Sequence, residues 1–187
     1  MLLSSAALGT ELEFGRLAAS LLPARDRTRV VLGGLGFGAT LRGVLDVAPA
    51  DAEIVVAEKV AGIEHLVRGQ LAHFARRPLD DPRVRVTLED VADVLARASG
   101  SLDAILLDVD NGPHWASFRT NARLYTSAGL ASAHRALANG GALAVWSGYP
   151  ADGFLARLRA AGFAPSRALL SENGHVRARA YVGIKRA

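Results

Sequence analysis

Along this chain the apolar positions repeatedly change period, from short β-branched runs to stretches where apolar side chains recur every three or four residues. The runs Arg29–Leu32, Glu53–Ala57, Arg83–Leu88, Ala104–Leu107 and Ala142–Trp146 predict strands. Helical spacing between them predicts helices over Ala39 to about Val47, about Val60 to Ala75, Val91 to Ala98, a Ser127-capped segment through Leu137, and Asp152 to Ala161. An N-terminal helix over about 10–22 precedes them. Thr10-Glu-Leu-Glu13 has the spacing of a capping box, and Pro23 closes the segment. The ending differs in kind: Ser166–Leu170 and Val176–Ile184 flank Glu172-Asn-Gly-His175 with no helix between them, which is a hairpin signal.

Five strand and helix alternations followed by a hairpin predict the α/β class. The expected architecture is a Rossmann-like, doubly wound, mostly parallel sheet of seven strands with an antiparallel C-terminal hairpin. With 187 residues, half of them hydrophobic, the chain is expected to form one domain over 1–187. It has no cysteine, which excludes thiolate chemistry and disulfides. The net charge of +4 comes almost wholly from scattered arginines, with Lys59 and Lys185 the only lysines, so no nucleic-acid footprint is expected. No apolar run approaches the roughly 20 residues that span a bilayer. Met1-Leu-Leu-Ser-Ser lacks the basic start of a signal peptide, and a cytoplasmic location is the expectation.

The candidate chemistry gathers at strand ends. Gly34, Gly36 and Ala39 fit G-x-G-x-x-G/A between a strand and a helix, where absent side chains let backbone approach a ligand at a helix N-terminus. The next three strands end in Glu58, Asp90 and Asp108. Glu58 follows the turn by about 20 residues, where an acid can accept both ribose hydroxyls. Asp90 can accept from an adenine amino group, and Asp108 faces the reacting end. These positions imply a nucleoside, and without a Walker lysine there is little to hold a triphosphate. Trp146 and Tyr125 read as core aromatics near the site. His65, His73, His134 and His175 are dispersed, and no metal is expected.

Three segments resemble the Rossmann-like S-adenosylmethionine-dependent transferases, and within them the spermidine synthase (polyamine aminopropyltransferase) group. They are Val31-Leu-Gly-Gly-Leu-Gly-Phe-Gly38, Arg83-Val-Arg-Val-Thr-Leu-Glu-Asp-Val91, and Asp103-Ala-Ile-Leu-Leu-Asp-Val-Asp-Asn-Gly-Pro113 with the later Leu124-Tyr-Thr126. The resemblance implies that Gly33, Gly34 and Gly36 approach the methionine-derived part of S-adenosylmethionine or its decarboxylated form. It places Glu58 on the ribose, and Asp90 with the Val91 amide at the adenine. Asp108 would orient or deprotonate an attacking amine, and Asp110 would approximate a second catalytic aspartate. His114 and Trp115 follow in the same loop. The implied partner is a small amine or polyamine, and a homodimer is left open.

The chain also departs from that pattern. Leu35, Gly36 and Phe37 offer no acid where synthases carry a loop aspartate, and only about 28 residues precede the first strand, where synthases begin with a small β-domain. Mainly amides face the donor's tail there, so ordinary S-adenosylmethionine is expected to bind at least as well as its decarboxylated form. The missing acid favours a small-molecule methyltransferase as the nearest alternative. An NAD-dependent oxidoreductase satisfies the same glycine fingerprint, and a non-catalytic nucleotide-binding module is the remaining reading.

Overall fold

The computed structural model describes residues 8–24, 27–109, 112–113 and 121–186. Seven strands, β1 (Arg29–Gly33), β2 (Glu53–Ala57), β3 (Val84–Thr87), β4 (Leu102–Leu107), β5 (Leu137–Ser147), β6 (Phe163–Glu172) and β7 (His175–Lys185), form one sheet in the order 3-2-1-4-5-7-6. The first five pair in parallel, and β7 runs antiparallel to both β5 and β6. Asn173 and Gly174 both take positive φ at the β6–β7 turn, as the Asn-Gly pair predicts.

Side-chain alternation on the central strands divides the core into two layers. On one face Val30, Leu32, Ala104, Leu106, Ala144 and Trp146 pack under α1 (Leu8–Arg16), α2 (Ala18–Leu21), α3 (Ala39–Val47) and α4 (Ala61–Arg68). On the other Val31, Ile105, Leu107, Leu143 and Val145 pack under α5 (Val91–Arg97), α6 (Ser127–Ala136) and α7 (Gly153–Ala160). Strand order reverses between β1 and β4, and the crevice at their carboxyl ends is where open sheets of this kind bind ligands.

Several boundaries differ from the sequence expectation. The N-terminal segment is two helices, and Thr10 lies buried inside α1 rather than capping it. Glu13 therefore does not close a capping box; its Oε2 accepts from the Ser171 amide at 2.6 Å, tying α1 to β6. The helix expected over 60–75 breaks at Gly69 and resumes as a 3₁₀ turn over Ala72–Ala75. Thr126, not Ser127, caps α6 by accepting from the Gly129 amide at 3.1 Å. Strand β5 begins at Leu137, because the Asn139-Gly-Gly141 segment is absorbed where the β4–β5 register shifts.

Helices α1 and α3 meet backbone to backbone. A Cβ on Gly15 would stand 2.1 Å from the Thr40 carbonyl oxygen, and one on Gly43 would stand 2.2 Å from that of Leu12. Gly43→Ala must therefore push the helices apart, which outweighs the roughly 1 kcal/mol that alanine gains in a helix. A net loss of about 1–3 kcal/mol is expected as a lowered urea midpoint. An unchanged midpoint would mean the two helices do not cross this closely.

Candidate functional site

Backbone hydrogen bonds carry the sheet to the edge of the crevice. The Asp108 amide donates to the Gly33 carbonyl at 2.9 Å, Gly34 donates to Ala57 at 2.9 Å, and Glu58 donates to Thr87 at 3.0 Å. This ladder sets the glycine turn, Glu58 and Asp108 side by side at the strand ends. Gly34, Gly36 and Gly38 all have positive φ through the turn. The space that a Cβ on Gly34 would take is filled by the Asp108 carbonyl oxygen at 2.2 Å, and that of Gly33 by the Leu107 and Val91 side chains. Within the chain, these two glycines let the turn lie flat on β4 and on the start of α5.

Glu58 is buried, 8% exposed, with both oxygens used by backbone amides: Oε2 accepts from Leu35 at 3.0 Å and Oε1 from Val60 at 2.8 Å. The carboxylate thus braces the glycine turn against the end of β2. Each oxygen has a second lone pair, so hydroxyl donors can still be accepted. Asp90 caps α5, its Oδ1 accepting from the Ala92 amide at 2.9 Å, while Oδ2 pairs with Lys59 and Arg123 at 3.0 Å each. Burial works to raise its pKa. The amide and the two cations outweigh burial and hold the carboxyl below the usual aspartate range.

The β1–β4 side of the crevice has the opposite character. Thr40, buried in the first turn of α3, donates its hydroxyl to Asp108 Oδ2 at 2.5 Å and lies 3.3 Å from the Glu11 carbonyl oxygen. Burial pushes Asp108 up to about 6 against the Thr40 hydrogen bond. Burial, and then the charge of Asp108, push Glu11 up to about 8. The site is therefore polarised, with two cations at the β3 end and two carboxyls raised in pKa at the β4 end.

Trp146 and Tyr125 are core residues, as expected. Trp146 is 7% exposed at the end of β5, and Tyr125 is fully buried edge-on against Phe154. The structure thus brings together Gly33, Gly34, Gly36, Glu58, Asp90, Val91 and Asp108 at one sheet edge. Asp110, His114 and Trp115 lie outside the described residues. The sequence reading missed Glu11 and Thr40. The available signal was periodicity: in the helix expected over 10–22, Glu11 stands three and seven positions before the apolar Phe14 and Ala18 and so falls on their face. Thr40 gave no signal beyond its place in a helical first turn.

No protein-family model and no curated protein sequence matches the chain. Solved structures do match in fold. A spermidine synthase in complex with the transition state analogue AdoDATO is 17% identical, with 96% of this chain and 59% of that one covered and a TM-score of 0.74. The spermidine synthase from Thermotoga maritima is 18% identical, with 96% and 60% covered and a TM-score of 0.76. A SAM-dependent O-methyltransferase from Thermotoga maritima is 16% identical, with 94% and 65% covered and a TM-score of 0.63. The chain spans about three fifths of the length of those two synthases. Among the described residues no helix is long and apolar enough to cross a membrane. The chain has the fold that spermidine synthases and S-adenosylmethionine-dependent methyltransferases share.

Proposed function

We propose that this chain is a transferase that binds S-adenosylmethionine or its decarboxylated form and passes a group to a small amine or polyamine. The observation that carries the reading is the pairing of two different carboxylates on either side of the glycine turn. Glu58 is braced at the end of β2, and Asp108 is half-buried under the crevice at the end of β4. In this reading Gly33, Gly34 and Gly36 adjoin the donor's tail, Glu58 accepts the ribose hydroxyls, and Asp90 with the Val91 amide takes the adenine edge. The tight turn and the lone pairs left on Glu58 fit such a nucleoside.

A sulfonium donor brings its own activated leaving group, so the chain's work is orientation and proton handling. An amine with a pKa near 10 is almost wholly protonated at neutral pH and needs an acceptor near the reacting atom. Asp108, raised to about 6, is mostly ionised at pH 7 and basic enough to receive that proton. Asp110, two positions further along the chain, would act as the second aspartate. A second reading, small-molecule methyl transfer, is favoured by the lack of a carboxylate at Leu35, Gly36 and Phe37.

A thermodynamic cycle tests the nucleoside assignment. Methylthioadenosine and its 2′-deoxy analogue are titrated calorimetrically into the wild type and Glu58→Ala. A charge-assisted hydrogen bond is worth about 1.5–3 kcal/mol, so the wild type should prefer the ribose form by roughly tenfold or more. The variant should lose that preference. Equal preference in both proteins would remove Glu58 from the ribose, whatever the mutation does to the turn.

A further inference from the structure

Backbone contacts fix where Asp108 sits but not how its carboxylate is turned. The amide donates to the Gly33 carbonyl at 2.9 Å, and the carbonyl oxygen fills the space where a Cβ on Gly34 would stand. Other acids of the crevice are held by several donors: Glu58 by two amides, and Asp90 by an amide and two cations. Among the described residues the Asp108 carboxylate has one partner, the Thr40 hydroxyl, which donates to Oδ2 at 2.5 Å.

Thr40 is held from behind. It is buried in the first turn of α3, and its carbonyl oxygen occupies the space that a Cβ on Gly15 would take, so the crossing of α1 on α3 sets its depth. Its hydroxyl has one proton and two acceptors in reach, Asp108 Oδ2 at 2.5 Å and the Glu11 carbonyl oxygen at 3.3 Å. The short bond to an ionised group is the stronger of the two, so the proton goes to Asp108. A buried hydroxyl costs free energy unless it is bonded, and valine would fill the same space without that cost. What the hydroxyl adds is the bond to Asp108, which leaves Oδ1 as the oxygen without a partner among the described residues.

We propose that Thr40 is a positioning residue of this site: its hydroxyl fixes the plane of the Asp108 carboxylate and so presents Oδ1 to the amine that is to be deprotonated. The inference rests on the transfer reading and adds to it the residue that holds its base. Oδ1 takes a proton from the ammonium form of the acceptor and leaves nitrogen its lone pair. That pair forms the bond to the donor carbon, while the pair of the breaking C–S bond returns to sulfur as a neutral thioether. A hydroxyl donated to a carboxylate also favours the ionised form over the acid. Burial raises Asp108 and the Thr40 bond opposes it, which keeps the carboxylate ready to accept.

The charged groups on the elements that meet at Asp108 are Glu11, Glu13 and Arg16 on α1, Arg42 and Asp46 on α3, and Glu58 beside the glycine turn. Glu13 is engaged by the Ser171 amide, Arg16 and Arg42 by Asp46, and Glu58 by its two amides. Trp146 and Ser147 at the end of β5 do not ionise. Glu11 remains, and it is the same in every protein compared below.

Wild type, Thr40→Val and Thr40→Ser are compared by carbon NMR titration of the Asp108 carboxyl, assigned through Asp108→Asn, and by the pH profile of methylthioadenosine release from a sulfonium donor and a diamine. In Thr40→Val the carboxyl should titrate about one pH unit higher. The acidic limb of kcat/KM should move with it, and kcat at neutral pH should fall by about tenfold while methylthioadenosine affinity changes by less than about twofold. Thr40→Ser, which keeps the hydroxyl, should return both readings to the wild type. Thr40→Ala, which cannot overfill the site, should shift the carboxyl as Thr40→Val does and serves if the valine variant does not fold.

A carboxyl that titrates alike in the wild type and in the variants without a hydroxyl overturns the inference, and so does a serine variant that behaves like the valine one. A wild type that releases no methylthioadenosine at any pH overturns the transfer reading instead. The carboxyl titration then still decides whether Thr40 holds Asp108.

Discussion

Raising the pH from about 4.5 to 8 is expected to destabilise the ligand-free protein progressively, and Glu11→Gln is expected to remove most of that loss. The sign follows from proton binding. Glu11 titrates at about 8 in the fold against 4.5 as a free side chain, and Asp108 at about 6 against 3.8. Between those limits the native state holds protons that the unfolded chain has released, so stability falls as pH rises. The contribution is fully present below about pH 4 and is lost as pH rises through about 6 and then about 8. Each tenfold difference in proton affinity between the folded and unfolded chain is worth about 1.4 kcal/mol, so two such raised carboxyls make the pH dependence large, on the order of several kcal/mol.

Asp81 and Asp90, whose folded pKa values are lowered, act in the opposite direction and have finished titrating by about pH 5. Burial lowers His134, which adds a slope of opposite sign near pH 6. The difference between wild type and variant cancels both. Urea midpoints at pH 5 and pH 9 provide the measurement: the wild type should be clearly weaker at pH 9, and Glu11→Gln should be nearly flat and more stable than wild type there. Parallel slopes in the two proteins would mean that Glu11 does not hold a proton in the fold.

The second large effect concerns Asp108. Asp108→Asn keeps the shape and the contact with Thr40 but removes both the negative charge and the proton acceptor. Turnover with a sulfonium donor and a diamine, followed by release of methylthioadenosine, should fall by roughly 100-fold or more. Affinity for methylthioadenosine should change little, because that ligand lacks the group Asp108 serves. A variant that turns over at the wild-type rate would reduce Asp108 to a cap for the loop that follows it.

The sheet was legible in the sequence because its strands carry unambiguous signals. Ala104-Ile-Leu-Leu107 is a short continuous apolar run closed off by Asp103 and Asp108, too brief for a helix, and Asn173-Gly174 specifies a two-residue hairpin. The N-terminal segment was misread for a physical reason. Thr10 and Glu13 have the spacing of a cap, but a cap is a local motif, and the crossing of Gly15 on Gly43 buries Thr10 inside the helix instead. The places of Glu58 and Asp108 at the sheet edge were legible because a strand end fixes where its next residue goes, and that of Asp90 because it caps the helix that follows β3. Their partners were not. That Lys59 and Arg123 converge on Asp90, or that Glu11 and Thr40 meet Asp108, depends on contacts between elements far apart in sequence, which periodicity does not encode.

The central claim, an adenosyl site at the β1–β4 crevice, is tested most directly by titrating the wild-type chain in parallel with methylthioadenosine, S-adenosylmethionine and NAD at pH 7. Both the glycine turn and Glu58 are common to nucleoside and dinucleotide sites, so the ligand itself must discriminate. The account predicts saturable one-to-one binding of methylthioadenosine and S-adenosylmethionine, with NAD weaker by at least tenfold. Tight binding of NAD with no response to either adenosyl compound would contradict it.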